Sequence, residues 1–262
     1  MDRLEGRTAI VTGAGSAGFG RAIARRLAEE GADVVIADLD EGGGKETVRQ
    51  LEELQTPRRA HLVVADVSVA SEVDGLVAEA IERFGGVDIL VNNAGVAPPE
   101  PQDSWNATEE SWDRVIRINL KSVYLNARAV IPQMIERGGG SIVNIASIAA
   151  TRACSCASYA ATKAAMIGYM HQVAPELASR NVRVNCVSPG FMRTPMSTGE
   201  RRGLSAPEQE AQLEQMGLGV PMQRVGSVDD IAAAVAYLAS DDARYVTGQE
   251  IAVDGGFLCA PV

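Results

Sequence analysis

Short apolar, β-branched runs alternate with longer amphipathic stretches along nearly the whole chain, and this rhythm restricts the fold more than any other feature. Strands are expected at Thr8–Val11, Asp33–Ala37, His61–Ala65, Asp88–Asn92, Ser141–Ile145, Arg183–Val187 and Glu250–Val253. Several are almost wholly apolar, as strands covered on both faces of a parallel sheet tend to be. Helical periodicity fills the intervals, over Gly20–Glu30, Glu41–Leu54, Ser71–Phe84, Glu109–Arg137, Ser158–Ser179 and Val228–Ala239. The alternation predicts an α/β fold: a doubly wound, parallel seven-stranded sheet with helices on both faces, in a single domain spanning 1–262. One stretch, 194–225, breaks the rhythm, with only a weak helical pattern near Ala206–Met216. A long excursion inside a compact domain is usually functional, and this one is expected to be a substrate loop or lid.

Composition removes several classes of function. The 24 basic residues are outnumbered by 34 acidic ones, for a formal charge of −10. Such a chain lacks the positive footprint of a nucleic-acid binder. No apolar stretch is long enough for a signal peptide or a membrane span, so a cytoplasmic protein without a membrane partner is expected. Cys154, Cys156, Cys186 and Cys259 show no metal-ligand spacing, and His61 and His171 are the only histidines. No metal site is expected, and the thiols should be reduced.

The first expected strand runs directly into Thr12-Gly13-Ala14-Gly15-Ser16-Ala17-Gly18-Phe19-Gly20, and a helix follows at once. Glycines let a backbone turn sharply and approach a pyrophosphate, whose charge then sits at the helix N-terminus. A G-x-G-x-x-G pattern is weak alone, but its position between a first strand and a first helix strengthens it. The second strand leads into Asp38, 25 residues after Gly13. A carboxylate there accepts hydrogen bonds from ribose hydroxyls and repels a 2′-phosphate. Neither Ala37, Leu39 nor the glycine-rich turn offers a cation to offset that repulsion, so NAD is favoured over NADP.

Tyr159-Ala160-Ala161-Thr162-Lys163 places a phenol and an amine four residues apart, on one helix face. Ser147 lies 12 residues upstream at the end of a strand, Asn119 within the long preceding helix, and Asn92-Asn93-Ala94-Gly95 after the fourth strand. Together with Ser188-Pro189-Gly190, Thr194 and Val253-Asp254-Gly255-Gly256, this constellation resembles the short-chain dehydrogenase/reductase family over essentially the full chain. One departure stands out. The family's turn reads T-G-x-x-x-G-x-G, whereas four residues separate Gly13 from Gly18 here. Which of Ser16, Ala17 and Gly18 touch the phosphates is thereby left open.

The resemblance implies a Rossmann-type sheet and an NAD-dependent alcohol dehydrogenase or ketone reductase. Tyr159 would be the general acid/base. A free tyrosine titrates near pH 10, and a neighbouring ammonium and an oxidised nicotinamide both favour its phenolate. Lys163 would tune it and hold the nicotinamide ribose, Ser147 would bind the substrate oxygen, and Asn119 would anchor a water linking Lys163 to solvent. The cofactor positions carried over are Gly13, Ser16, Gly18 and Phe19 at the turn, Asp38 and Leu39 after strand two, and Asp66 and Val67 after strand three. Asn93, Ala94 and Gly95 follow strand four. Pro189, Gly190, Met192 and Thr194 follow strand six, alongside Tyr159 and Lys163. The substrate would be selected by Val96–Asn106, Ala149–Ser158 and the excursion. Few charges stand there besides Arg152, Arg193, Arg201 and Arg202, so a mostly neutral secondary alcohol or ketone fits, with an anionic substrate as the alternative.

Two other readings compete. β-Ketoacyl carrier-protein reductases share the length and motifs but prefer NADPH, against which Asp38 counts. A non-catalytic dinucleotide sensor or scaffold would not need the intact Asn119, Ser147, Tyr159 and Lys163. Surplus apolar residues on the two long helices (Val123, Tyr124, Met166, Ile167, Met170) and an apolar tail, Phe257–Val262, could supply an interface, and the resemblance implies that they pair into a homotetramer.

Overall fold

The computed structural model describes residues 2–54, 59–98, 105–152, 156–195, 197 and 203–260. Seven parallel strands form one sheet: β1 (Thr8–Thr12), β2 (Asp33–Asp38), β3 (Ala60–Val64), β4 (Ile89–Asn92), β5 (Gly140–Ile145), β6 (Val182–Pro189) and β7 (Glu250–Val253). Their spatial order is β3-β2-β1-β4-β5-β6-β7. The order reverses between β1 and β4, and a doubly wound sheet opens its binding crevice at such a switch point, outside the carboxyl ends of the strands.

Alternation along each strand divides the core. Ala9, Val11, Val34 and Ile36 face one layer, which is completed by α1 (Phe19–Glu29), α2 (Glu41–Glu52) and α8 (Val228–Ala239). Ile10, Val35, Leu90 and Ile142 face the other, covered by α3 (Ala70–Phe84), α5 (Ser122–Glu136) and α6 (Ala157–Ala178). β1 and β2 are buried almost throughout, whereas the edge strand β3 is only half-buried.

The helix starts follow local chemistry. Asp40 caps α2 through the Gly43 N–H, and Ser227 and Asp230 form a reciprocal capping box on α8. In the excursion after β6, a Ser205–Glu208 box starts α7 (Ala206–Leu218), longer than its weak periodicity predicts. The expected continuous helix over Glu109–Arg137 is instead divided. α4 (Glu109–Ile116) passes through a π-helical turn, Arg117–Lys121, into α5. Single wide turns of this kind recur at functional sites. Here the turn carries Asn119 to a fully buried position.

The interface expectation needs correction. Val123, Met166 and Met170 lie in the protomer's own core, where the i, i+4 spacing of Met166 and Met170 packs them beneath the sheet. Of that set only Tyr124 is exposed and Ile167 half-buried. Pro261 and Val262 of the tail lie outside the described residues, as do Ala153, Cys154, Met196, Arg201 and Arg202. Among the described residues no helix is long and apolar enough to cross a membrane.

Candidate active site

A cleft of about 440 Å³ opens along the carboxyl ends of β1, β2, β4 and β5. At one end it is lined by Gly13, Ser16, Gly18 and Phe19 of the turn, with Asp38, Leu39, Asp66 and Val67 beside them. Asn93, Ala94 and Gly95 line the middle, and Tyr159, Lys163 and Thr194 the other end. Five expected positions are not in its lining: Asn119, Ser147, Pro189, Gly190 and Met192. Pro189 is buried within β6, Gly190 packs against Asp254, and the Met192 side chain is buried in the core beside Gly226.

The turn is held by contacts its own sequence does not announce. Thr12 Oγ accepts the N–H groups of Asn93 (3.0 Å) and Ala94 (3.1 Å), and the Asn93 amide donates back to Thr12 O (2.8 Å). Gly13 has φ +67°, and a Cβ there would stand 2.7 Å from Ala94 Cα, so only glycine lets the two loops meet. The extra residue places Gly15 against Asp38: the Gly15 N–H donates to Asp38 Oδ2 at 2.6 Å, while Asp40 N–H donates to Oδ1 at 2.9 Å. Behind the turn, the buried Thr47 hydroxyl donates to Ala14 O (2.7 Å). Arg21 Nε donates to Thr47 Oγ1 (2.9 Å) and Nη2 to Gly15 O (2.5 Å). Spacing within either helix gives no sign that Arg21 of α1 and Thr47 of α2 would meet.

This end fits a dinucleotide on two counts. Helix α1 begins at Gly18 without a side-chain cap and without an acidic residue in its first turn. Its leading N–H groups and positive dipole end are therefore open to an anion at the cleft wall. Asp38, already oriented by two backbone donors, retains acceptor capacity for hydroxyls.

At the other end, α6 presents Tyr159 and Lys163 one turn apart. Lys163 is almost fully buried, donates from Nζ to Ile145 O at 2.6 Å, and lies 5.4 Å from the centre of the Tyr159 ring. Burial lowers its ammonium to about 8. Asn119 closes the floor without lining the cleft. Its Oδ1 accepts from Val96 N–H and its Nδ2 donates to Val96 O, both at 2.8 Å, and Nδ2 also reaches Thr162 Oγ1 at 3.3 Å. Gly95 joins the groups: a Cβ on it would lie 3.4 Å from Asn119 Oδ1 and 3.7 Å from Lys163 Nζ. Ser147 follows β5, and its Oγ accepts from Ala149 N–H (3.1 Å), which leaves its own hydrogen free to donate. Arg114 and Ile118 also line the cleft and were not expected to; their i, i+4 spacing just before Asn119 is the signal that marks them. Among the described residues no group of His, Cys, Asp and Glu side chains could hold a metal ion.

A glycine-lined cleft at the switch point, closed by a Tyr–Lys pair, is the architecture of an oxidoreductase that works with a nicotinamide dinucleotide. Comparison with known proteins agrees. A sequence family described as enoyl-(acyl carrier protein) reductase matches residues 13–258. The 3-oxoacyl-(acyl-carrier-protein) reductase FabG of Thermotoga maritima is 37% identical over 98% of this chain and 99% of its own. The 3beta-hydroxysteroid dehydrogenase 1 of Eggerthella lenta is 42% identical over 99% of this chain and 97% of its own. A crystal structure from Burkholderia xenovorans, described as a short-chain dehydrogenase/reductase, superposes with a TM-score of 0.92 at 40% identity, covering 100% of both chains. The chain belongs to the short-chain dehydrogenase/reductase family.

Proposed function

We propose that this protein is an NAD(H)-dependent oxidoreductase acting on a secondary alcohol or its ketone, with Tyr159 as general acid/base. The observation that carries the cofactor choice is Asp38, held at the cleft wall by Gly15 and Asp40 N–H groups. A 2′-phosphate would meet this carboxylate. Arg21, the cation nearest the turn, donates to Gly15 O and Thr47 from behind it.

A bound nicotinamide supplies the acceptor or donor of a hydride; the chain's own residues manage the proton and the charge on oxygen. Tyr159 exchanges the proton with the substrate oxygen, and Ser147 donates a hydrogen bond to that oxygen as charge develops on it. Lys163, still largely protonated at neutral pH, favours the Tyr159 phenolate and holds the nicotinamide ribose. Both ends of the Asn119 amide are engaged with Val96, and Asn119 would anchor a water behind Lys163 through its main chain. Thr194 and the backbone at Pro189, Gly190 and Met192 would meet the carboxamide. Helix α7 and its flanks, within 194–225, would close over the substrate.

One observation favours a second reading, a carrier-protein reductase using NADPH: the relative of that name aligns end to end with this chain. Asp38 and the charge of −10 oppose it, since an acidic carrier needs a basic landing surface. Assembly is proposed as a homotetramer, which light scattering at micromolar concentration would overturn by giving a monomer mass. The function is tested with a panel of secondary alcohols and ketones, assayed with both cofactor pairs and with Tyr159→Phe in parallel. Turnover that prefers NAD(H) and collapses in the variant supports the proposal. Turnover confined to NADPH and acyl thioesters contradicts it in favour of the second reading.

A further inference from the structure

The segments that follow β5, β6 and β7 converge on a small aromatic cluster. Phe191, next after Gly190, meets Phe257 edge to face at 4.9 Å between ring centres. The Arg152 guanidinium lies over the same Phe257 ring, 5.1 Å from its centre. Arg152 belongs to the turn that Ser147 begins, and its backbone N–H donates to Ile148 O at 2.9 Å. Ser147, Arg152 and the two rings are therefore linked through one short, hydrogen-bonded segment.

Arg152 is half-buried, and among the described residues it forms no ion pair. Asp254 and Arg193 are held by contacts of their own, and Asp254 makes no ion pair with it. Both Asp254 oxygens accept backbone N–H groups, of Gly256 (2.9 Å) and Leu258 (2.8 Å). Arg193, just before the excursion, donates to both oxygens of Glu210, at 2.8 and 2.9 Å, and Arg224 within it pairs with Asp230 at 3.4 Å. Contact with a ring face orients a guanidinium without using its N–H donors, which lie at the edge of its plane in a fork that matches a carboxylate. The chain is strongly acidic, so an oriented arginine that pairs with no carboxylate among the described residues is suited to one on a bound molecule.

We infer that Arg152 is a specificity-determining residue that binds a carboxylate on the substrate, so that the preferred substrate is an apolar alcohol or ketone bearing an acid group. The Phe191 and Phe257 rings take the apolar body while Ser147 and Tyr159 take the reacting oxygen. The inference deepens the proposed function and rests on it for the position of the reacting oxygen.

The test has two arms. In the first, matched oxocarboxylates and their methyl esters are reduced by wild type, Arg152→Met and Arg152→Lys. The acid should exceed the ester in kcat/KM by at least about tenfold in wild type, chiefly through KM. Arg152→Met should remove that preference, and Arg152→Lys should restore part of it. An acid/ester ratio unchanged in Arg152→Met, or a wild-type preference for the ester, overturns the inference. In the second arm, 3-phenylpropionate and its methyl ester are titrated calorimetrically into NAD-loaded enzyme. Binding of the acid alone, lost in Arg152→Met, supports the carboxylate site even if no ketone in the panel is reduced, which would count against the proposed reaction instead. Failure of the acid to bind overturns the carboxylate site itself.

Discussion

Around the glycine-rich turn the chain holds itself in place with buried and part-buried hydrogen bonds: Gly15 N–H to Asp38, Thr47 to Ala14, Arg21 to Gly15, and the Asn93 and Ala94 N–H groups to Thr12. Beyond β6 the contacts are of another kind. Arg193 and Glu210, which tie α7 to the strand exit, are each about half exposed, and part-buried hydrogen bonds of Gln212 and Ser197 supplement them. The difference fits the roles proposed for the two regions. A pyrophosphate bound by main-chain N–H groups demands a backbone fixed before binding, because a peptide that must reorganise loses affinity. A segment that admits and releases substrate has to remain less tightly held.

The sharpest break between the regions would come from their functional groups. Tyr159→Phe should lower kcat by roughly 10²–10⁴-fold while NADH affinity, measured by titration, stays within about threefold. A loss of affinity as large as the loss of kcat would make holding the cofactor, rather than proton transfer, the main role of Tyr159. Asp38→Ala should lower the NADH/NADPH preference by about a hundredfold, read as the ratio of the two kcat/KM values, because the repelling carboxylate is gone. A ratio that does not move would remove Asp38 from the account.

Bracing residues come next. Thr47→Val leaves the buried Ala14 carbonyl without its donor, at a cost of about 1–3 kcal/mol. NADH should bind roughly tenfold more weakly, with kcat at saturation little changed. An unchanged Kd would mean that the turn does not depend on α2 for its shape.

Lys163 gives a pH signature. Its folded-state value of about 8 lies below the 10.5 of a free lysine, so between these values the unfolded chain binds the extra proton and stability rises with pH. Urea unfolding of wild type and Lys163→Met should show the difference moving in favour of wild type from pH 8 towards 10, by up to roughly 3 kcal/mol. Burial pushes the Cys186 thiol up to about 12, which works the opposite way above pH 9 and is present in both proteins. A difference independent of pH would show that Lys163 titrates normally. The smallest effect belongs to the excursion: an Arg193/Glu210 double-mutant cycle should give a coupling below about 1 kcal/mol, as exposed pairs do.

The sheet was legible because strands buried on both faces leave continuous apolar runs, and Asp33–Asp38 and Gly140–Ile145 depart from their expected bounds by one residue. The π-turn at Asn119 was not, since helical periodicity runs on through it and its partner, Val96, lies in a distant loop. Positions along the cleft could be read from ordered motifs, from Gly13 to Thr194. The brace of Arg21 and Thr47 could not, because it joins two helices whose separate patterns are ordinary. The substrate side was least legible: its residues have no motif, and only the packing of Arg152 on Phe257 separates that arginine from Arg193.

Asp38 and the turn that holds it make the central claim most directly measurable. NADH and NADPH would be titrated into the purified wild-type protein under the same conditions, with cofactor fluorescence as the readout. The account predicts a Kd for NADH at least about tenfold below that for NADPH, as one uncompensated charge repulsion beside the ribose requires. Equal affinities, or tighter binding of NADPH, would contradict it.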